Sequence, residues 1–186
     1  MSDEQALPEG EAIADDLLIL FRRNPRPTFA QVRDGCDGAD IVDAAPHPLA
    51  HAAPGIIELR RAGLTFDLAG LAPGPAMPIP DLAGAGIDDA IAQDGTRALS
   101  LRVGPHIAAG RRTLSVLREW FDLAQGIAAN LGAEGICWVP GGVAIGMDGL
   151  ARHLDSWEAR GDVPVSLLAS FRPTIDGALQ SHGLHT

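Results

Sequence analysis

The residues best placed to do chemistry lie in one stretch, Gly104-Pro-His-Ile-Ala-Ala-Gly-Arg-Arg-Thr113. It joins an apolar run to a strongly amphipathic segment, so it is predicted to be a loop that ends at a helix N-terminus. The first N–H groups of a helix lack intrahelical partners, and the helix dipole adds partial positive charge there. Such an end attracts anions. Arg111 and Arg112 bring full charges and forked donors that match a carboxylate or a phosphate. With His106 and Thr113 they make up the candidate anion-binding site, in which His106 can serve as a base or a ligand. The stretch is not a lysine-dependent phosphate loop. Five residues separate Gly104 from Gly110 where that motif has four, and arginine stands where it needs lysine. The plainer alternative is two solvated arginines ahead of a helix.

Other chemistry-bearing residues are scattered. His47 and His51 are four apart, a spacing that binds zinc from a helix. Pro46 and Pro48 oppose a helix there, and no glutamate completes a zinc-protease pattern. His182 and His185 lie near the C-terminus, and no metal site is expected from any of these histidines. Cys36 and Cys137 form no CxxC pair and read as reduced thiols, Cys137 between Ile136 and Trp138 with no base nearby. Asp148 and His153 share a helix start, where Asp148 is predicted to cap and His153 to pack along the apolar stripe. No GxSxG occurs, and Ser166 and Ser170, placed in a strand, assemble no triad. The chain has no lysine, which removes Schiff-base chemistry, and no tyrosine, which removes a common general acid. No catalytic residue is assigned, no cofactor is expected, and the balance leans away from an enzyme.

Positioning falls to the flanking elements. Ala98–Val103 reads as a strand. Thr113–Leu131 is the clearest helix: Leu114, Leu117, Phe121, Ala124, Ala128 and Leu131 step by three and four, and Trp120 and Ile127 widen the stripe. Thr113 is predicted to cap it and Gly132 to end it. Leu17–Phe21 reads as a buried strand, although its first residues also suit a helix running from Glu11. Thr28 opens a short helix from Phe29 to about Gly35. Residues 43–54, rich in Ala, Pro and His, predict a loop. Ile56–Arg60 and Leu64–Leu68 alternate around Ala62-Gly63 as a hairpin. Pro73, Pro75, Pro78 and Pro80 predict an extended surface crossover over Leu71–Gly86, and Asp88–Asp94 a helical turn. Gly135–Val139 and Val143–Ile145 flank a Pro-Gly-Gly turn. A helix follows from Gly149 to about Arg160, then a long strand Val163–Phe171 with Pro164 marking a sheet edge, and a short strand at Gly177–Gln180.

Helices alternating with hairpins predict an α+β fold, a mixed, largely antiparallel sheet with helices packed on one face. Residues 1–15 read as a flexible N-terminus and 16–186 as a single α+β domain. The element order also allows two βαββ-like halves, 16–70 and 97–171, joined by a Pro-rich crossover at 71–86.

Of the 186 residues 46% are hydrophobic, enough for a substantial core. The net charge is -10, from 24 acidic against 14 basic residues, which argues against nucleic acid and against an anionic membrane as partners. No apolar run reaches ~18 residues, so no membrane helix is expected. The acidic start lacks the basic region of a secretory signal, and a cytoplasmic location is expected. The all-arginine usage fits a GC-rich bacterial genome.

Across roughly residues 97–171, the rhythm Gly104-Pro-His106, Leu117-Arg-Glu-Trp-Phe-Asp-Leu-Ala124, Trp138-Val-Pro-Gly-Gly142, Trp157, Gly161 and Pro164 resembles bacterial families of α+β domains that have no assigned activity. The resemblance implies the fold and carries no catalytic residue with it. The expectation is a non-enzymatic, soluble bacterial domain that works through a protein partner or as a homo-oligomer, with Trp157 and the edge near Pro164 as contact points. The alternative is an enzyme or sensor of a small anionic molecule at Gly104–Thr113.

Overall fold

A computed structural model describes residues 15–22, 26–35, 43–46, 55–80 and 96–183. The chain begins with strand β1 (Leu17–Phe21) and helix α1 (Phe29–Gly35). Strands β2 (Asp43–Pro46), β3 (Ile57–Arg61), β4 (Leu64–Ala69) and β5 (Arg97–Val103) follow. Then come α2 (Leu114–Leu131), β6 (Gly135–Trp138), β7 (Val143–Gly146), α3 (Met147–Arg160), the single turn α4 (Val165–Leu168), β8 (Ser170–Pro173) and β9 (Leu179–His182). Seven strands form one sheet in the order β2-β3-β4-β5-β1-β6-β7, and every neighbouring pair is antiparallel. The fold is α+β, as the sequence predicts. β1 lies between β5 and β6, which is why Leu-Leu-Ile-Leu-Phe is apolar without alternation: all five residues are buried, from both faces.

Successive strand side chains point to opposite faces. Leu17, Ile19 and Phe21 join Leu99, Leu101 and Val103 in the cluster that the helices cover. Leu18 and Leu20 join Ala98, Cys137 and Ala144 on the other face. α2 supplies Leu117, Trp120, Phe121, Leu123, Ala124, Ile127 and Ala128 to the first cluster. Burying a large apolar side chain contributes ~1.5–3 kcal/mol, so this stripe outweighs helix propensity in holding α2. Leu114 is the exception: at 52% exposure it lies outside the stripe it was expected to start. Trp120 donates its indole N–H to the Leu101 carbonyl at 3.1 Å and meets Trp138 edge to face at 5.2 Å. Gly132 ends the helix in the left-handed region at φ 67°. Thr113 holds the N-cap position, but its hydroxyl turns back to the Gly110 carbonyl and makes no capping bond.

The Pro-rich segment serves the second face. Met77 and Ile79 pack on the cluster around Leu18 and Leu20, and Met77 bridges Ala98 beyond the last β4 pairing, Ala69 with Ser100. Prolines supply carbonyls but no N–H groups. Arg26 provides donors, reaching the carbonyls of Gly70 (2.6 Å), Pro75 (2.7 Å) and Gly74 (2.6 Å). α1 starts with a reciprocal cap, in which the Thr28 N–H donates to Gln31 Oε1 and the Gln31 N–H to Thr28 Oγ1.

Further expectations change. Trp157, expected as a contact point, is buried in the core beneath α3. Residues 43–46 are strand, not loop; an outermost strand tolerates Pro46 because its missing N–H need only face away from β3. The long strand Val163–Phe171, with its sheet edge at Pro164, is instead a buried proline, the turn α4 and then β8. Leu167 and Leu168 are buried side by side while Val165 and Ser166 are exposed, a pattern no half-buried strand shows. β8 pairs only with β9, in a separate hairpin. Gly146 holds the N-cap position of α3, and Asp148 sits exposed in its first turn. The loop before α2 is largely a 3-10 turn over Pro105–Gly110, which Pro105 starts with its fixed φ. The turn expected at Asp88–Asp94 lies outside the described residues.

Candidate functional site

β5 and α2 position the stretch Gly104–Thr113 as the sequence implies. Gly104 is fixed by its own smallness: a Cβ there would stand 2.4 Å from the Thr65 hydroxyl, and its N–H donates to the Thr65 carbonyl at 2.8 Å. The two arginines converge. Arg111 donates to Asp15 Oδ2 at 2.9 Å and to the Ala108 carbonyl at 2.9 Å, and Arg112 donates to Asp15 Oδ1 at 3.1 Å. Both guanidinium groups therefore share one carboxylate, in a place about half open to solvent. His106 is exposed and, among the described residues, makes no hydrogen bond or ion pair with the arginines. Thr113 is exposed and its hydroxyl is engaged with Gly110. The structure thus brings Arg111 and Arg112 together and leaves His106 and Thr113 at their margin.

Sequence reasoning missed the two aspartates. Asp15 falls at the end of the stretch that reads as a flexible N-terminus, yet its carboxylate pairs with both arginines. Asp16 continues the alternation of Leu18 and Leu20 and is buried on the same face, beside Ser100 and Arg102. Ser100 donates its hydroxyl to Asp16 Oδ2, and Arg102 donates to the same oxygen at 2.8 Å. Burial raises the Asp16 carboxyl above its ordinary value, and the Ser100 hydrogen bond and the Arg102 charge pull against that rise. Asp67 stands directly across from Arg102 in the β4–β5 register. The period-two pattern of β1 and β5 was the available signal, since it puts Asp16, Ser100 and Arg102 on one face. The residue types suit an ion-paired anchor for the start of β1, with the Ser100 hydroxyl held by the Asp16 carboxylate.

A cleft of about 1060 Å³ runs along α2, between the β3–β4 turn and α3. Its charges answer one another: Arg61 pairs with Glu119 at 3.1 Å, and Arg118 reaches Asp122 at 3.7 Å and Glu158 at 3.5 Å. Burial raises the Asp122 carboxyl, with Arg61 and Arg118 opposing. Among the described residues no group of three or more His, Cys, Asp or Glu side chains is arranged to hold a metal ion. Cys137 is buried, and burial pushes its thiol up to about 12, far from a nucleophile's range. His153 is half-buried on α3, Ser166 is exposed on α4, and the Ser170 hydroxyl is committed to the Gly141 carbonyl at 2.6 Å. Cys36, His47, His51 and His185 lie outside the described residues.

The most conspicuous surface is apolar. Of the five large hydrophobic residues exposed among the described ones, Val165, Phe171, Ile175 and Leu179 fall in the C-terminal segment. Phe171 is 56% exposed, Leu179 72%, and Ile175 stands fully in solvent. The last three belong to the β8–β9 hairpin, which Ser170 ties to Gly141. Among the described residues no helix is long and apolar enough to cross a membrane. The fold and these surfaces define an α+β protein with a paired arginine cluster and an exposed apolar hairpin. No family model, no curated protein and no solved structure matches the chain.

Proposed function

We propose that this is a non-enzymatic bacterial domain of the cytoplasm that acts by docking onto another polypeptide, a different protein or its own copy. The observation that carries the reading is the hairpin: three large apolar side chains, Phe171, Ile175 and Leu179, exposed on one small element. Soluble monomers rarely group exposed apolar side chains without a use for them. Size-exclusion chromatography with light scattering, together with affinity capture, tests it. A strict monomer that recovers no partner overturns it.

A second reading draws on the arginines. Arg111 and Arg112 already share one carboxylate, so a small anionic ligand that displaces Asp15 would find both donors aimed at it, with His106 and Thr113 alongside. In this reading the protein is a sensor or enzyme of a small anion. Thermal-shift measurements with phosphates, nucleotides and carboxylates test it; Arg111→Ala and Arg112→Ala must abolish any shift found, and unchanged shifts reject the site.

A further inference from the structure

We propose that Asp15 stands in for the natural occupant of the Arg111–Arg112 site, and that this occupant is a doubly charged phosphate group, free or as a small monoester. The proposal rests on the second reading above, an anion held by these arginines, and names its chemistry.

Donors outnumber acceptors in the site as it stands. The side of a guanidinium formed by Nε–H and Nη2 is a fork of two parallel donors, which an oxyanion fills with two oxygens. Asp15 divides its two oxygens instead: Oδ2 accepts from Arg111 Nη2 at 2.9 Å, and Oδ1 from Arg112 Nη2 at 3.1 Å. The Arg111 fork is therefore half filled. Its Nε is buried and meets no acceptor among the described residues, while its Nη1 is engaged by the Ala108 carbonyl at 2.9 Å. Buried donors without an acceptor are rare and costly, and an ion missing from the site is one recurrent cause. A carboxylate has too few oxygens to fill the Arg111 fork and reach Arg112 as well. A phosphate monoester carries three acceptor oxygens, one each for Arg111 Nε, Arg111 Nη2 and Arg112 Nη2.

Charge points the same way. One carboxylate against two guanidinium groups leaves a positive charge uncancelled, and the adjacent Asp16 does not cancel it because it is paired with Arg102 at 2.8 Å. A dianion matches the two arginines. Asp15 is also easy to displace. Its side chain is 45% exposed, and ion pairs so open to water hold weakly. It sits in a turn ahead of the first β1 pairing, Leu17 with Leu101, so its side chain can swing away without breaking the sheet.

NMR titration of the full chain tests this at about pH 7.5 and about 0.1 M salt, which screens the net charge of -10. The probes are inorganic phosphate, phenyl phosphate and acetate. The phosphates should bind at least ~10-fold more tightly than acetate and shift the Arg111 Nε–H resonance. Whichever phosphate binds more tightly tells a free ion from an ester. Asp15→Asn removes the resident competitor and should tighten phosphate binding on the order of 10-fold. Arg111→Lys keeps the charge but not the fork, and should bring phosphate down to the level of acetate. Acetate equal to phosphate in the native chain, no gain in Asp15→Asn, or Arg111→Lys binding phosphate like the native chain overturns the proposal. In those cases the anion reading stands if Arg111→Ala and Arg112→Ala still abolish the binding. No arginine-dependent binding of any probe, even in Asp15→Asn, removes both.

Discussion

Asp16 is a buried carboxylate whose ionisation is disfavoured in the folded chain. Its side chain is 3% exposed, and burial raises its proton affinity above that of an ordinary carboxylate with a value of 3.8. The folded chain therefore holds this proton more tightly than the unfolded chain does. The stability linked to it is present at low pH and is lost as pH rises from about 3.8 through the raised value. Asp16→Asn keeps an oxygen for the Ser100 hydroxyl and cannot ionise. Urea unfolding at about pH 4 and about pH 7 should show the variant gaining stability relative to the native chain across that interval. A constant difference would mean that Asp16 ionises alike in both states. Cys137 makes a second residue-level prediction. With its thiol pushed up to about 12, it presents almost no thiolate near neutral pH. In a Cys36→Ser chain, iodoacetamide at about pH 8 should label nothing until urea unfolds the protein. Rapid labelling of the native chain would show that β6 opens locally.

Helix α2 and the Pro-rich segment brace the sheet from opposite faces. Phe121 is fully buried and packs its ring 5.5 Å from that of Trp138, so Phe121→Ala should cost ~3–5 kcal/mol in chemical denaturation. A loss under ~1 kcal/mol would place Phe121 outside the core. On the other face, Arg26 satisfies three carbonyls with one guanidinium. Arg26→Ala should cost ~2–3 kcal/mol, and Arg26→Lys should restore only part of it, because an ammonium cannot present the same fork. Full rescue by lysine would show that charge alone matters there. Elements were legible where pattern and burial coincide. The 3.6-residue stripe from Leu117 to Ala128, the unbroken apolar run of β1 and the glycine at 132 each state their structure locally. Val163–Phe171 was misread because an apolar run of that length looks alike in a strand and in a helical turn, until burial shows Leu167 and Leu168 facing inward together. The site was half legible for a similar reason. Arg111 and Arg112 advertise themselves, but Asp15 reaches them across 96 residues of sequence, and no local spacing encodes such a meeting.

For the molecule as a whole, charge and apolar surface act in opposite directions. At a net charge of -10, copies repel, and salt screens that repulsion. Self-association, one form of the docking proposed above, should therefore strengthen several-fold as salt rises from about 0.05 M to about 0.5 M, read by sedimentation. A weakening would point to ion pairs at the contact instead. The sheet order reaches further still. β1 is completed by β5 on one side and β6 on the other, its Leu17 pairing with Leu101 and Trp138. During synthesis that first strand leaves the ribosome about 120 residues ahead of its second neighbour, a wait of roughly 6–24 s at ordinary elongation rates. Five greasy residues travel roughly the first 80 of those residues with neither flank in place and the remainder with β5 alone, so the nascent chain carries β1 half-covered until β6 arrives.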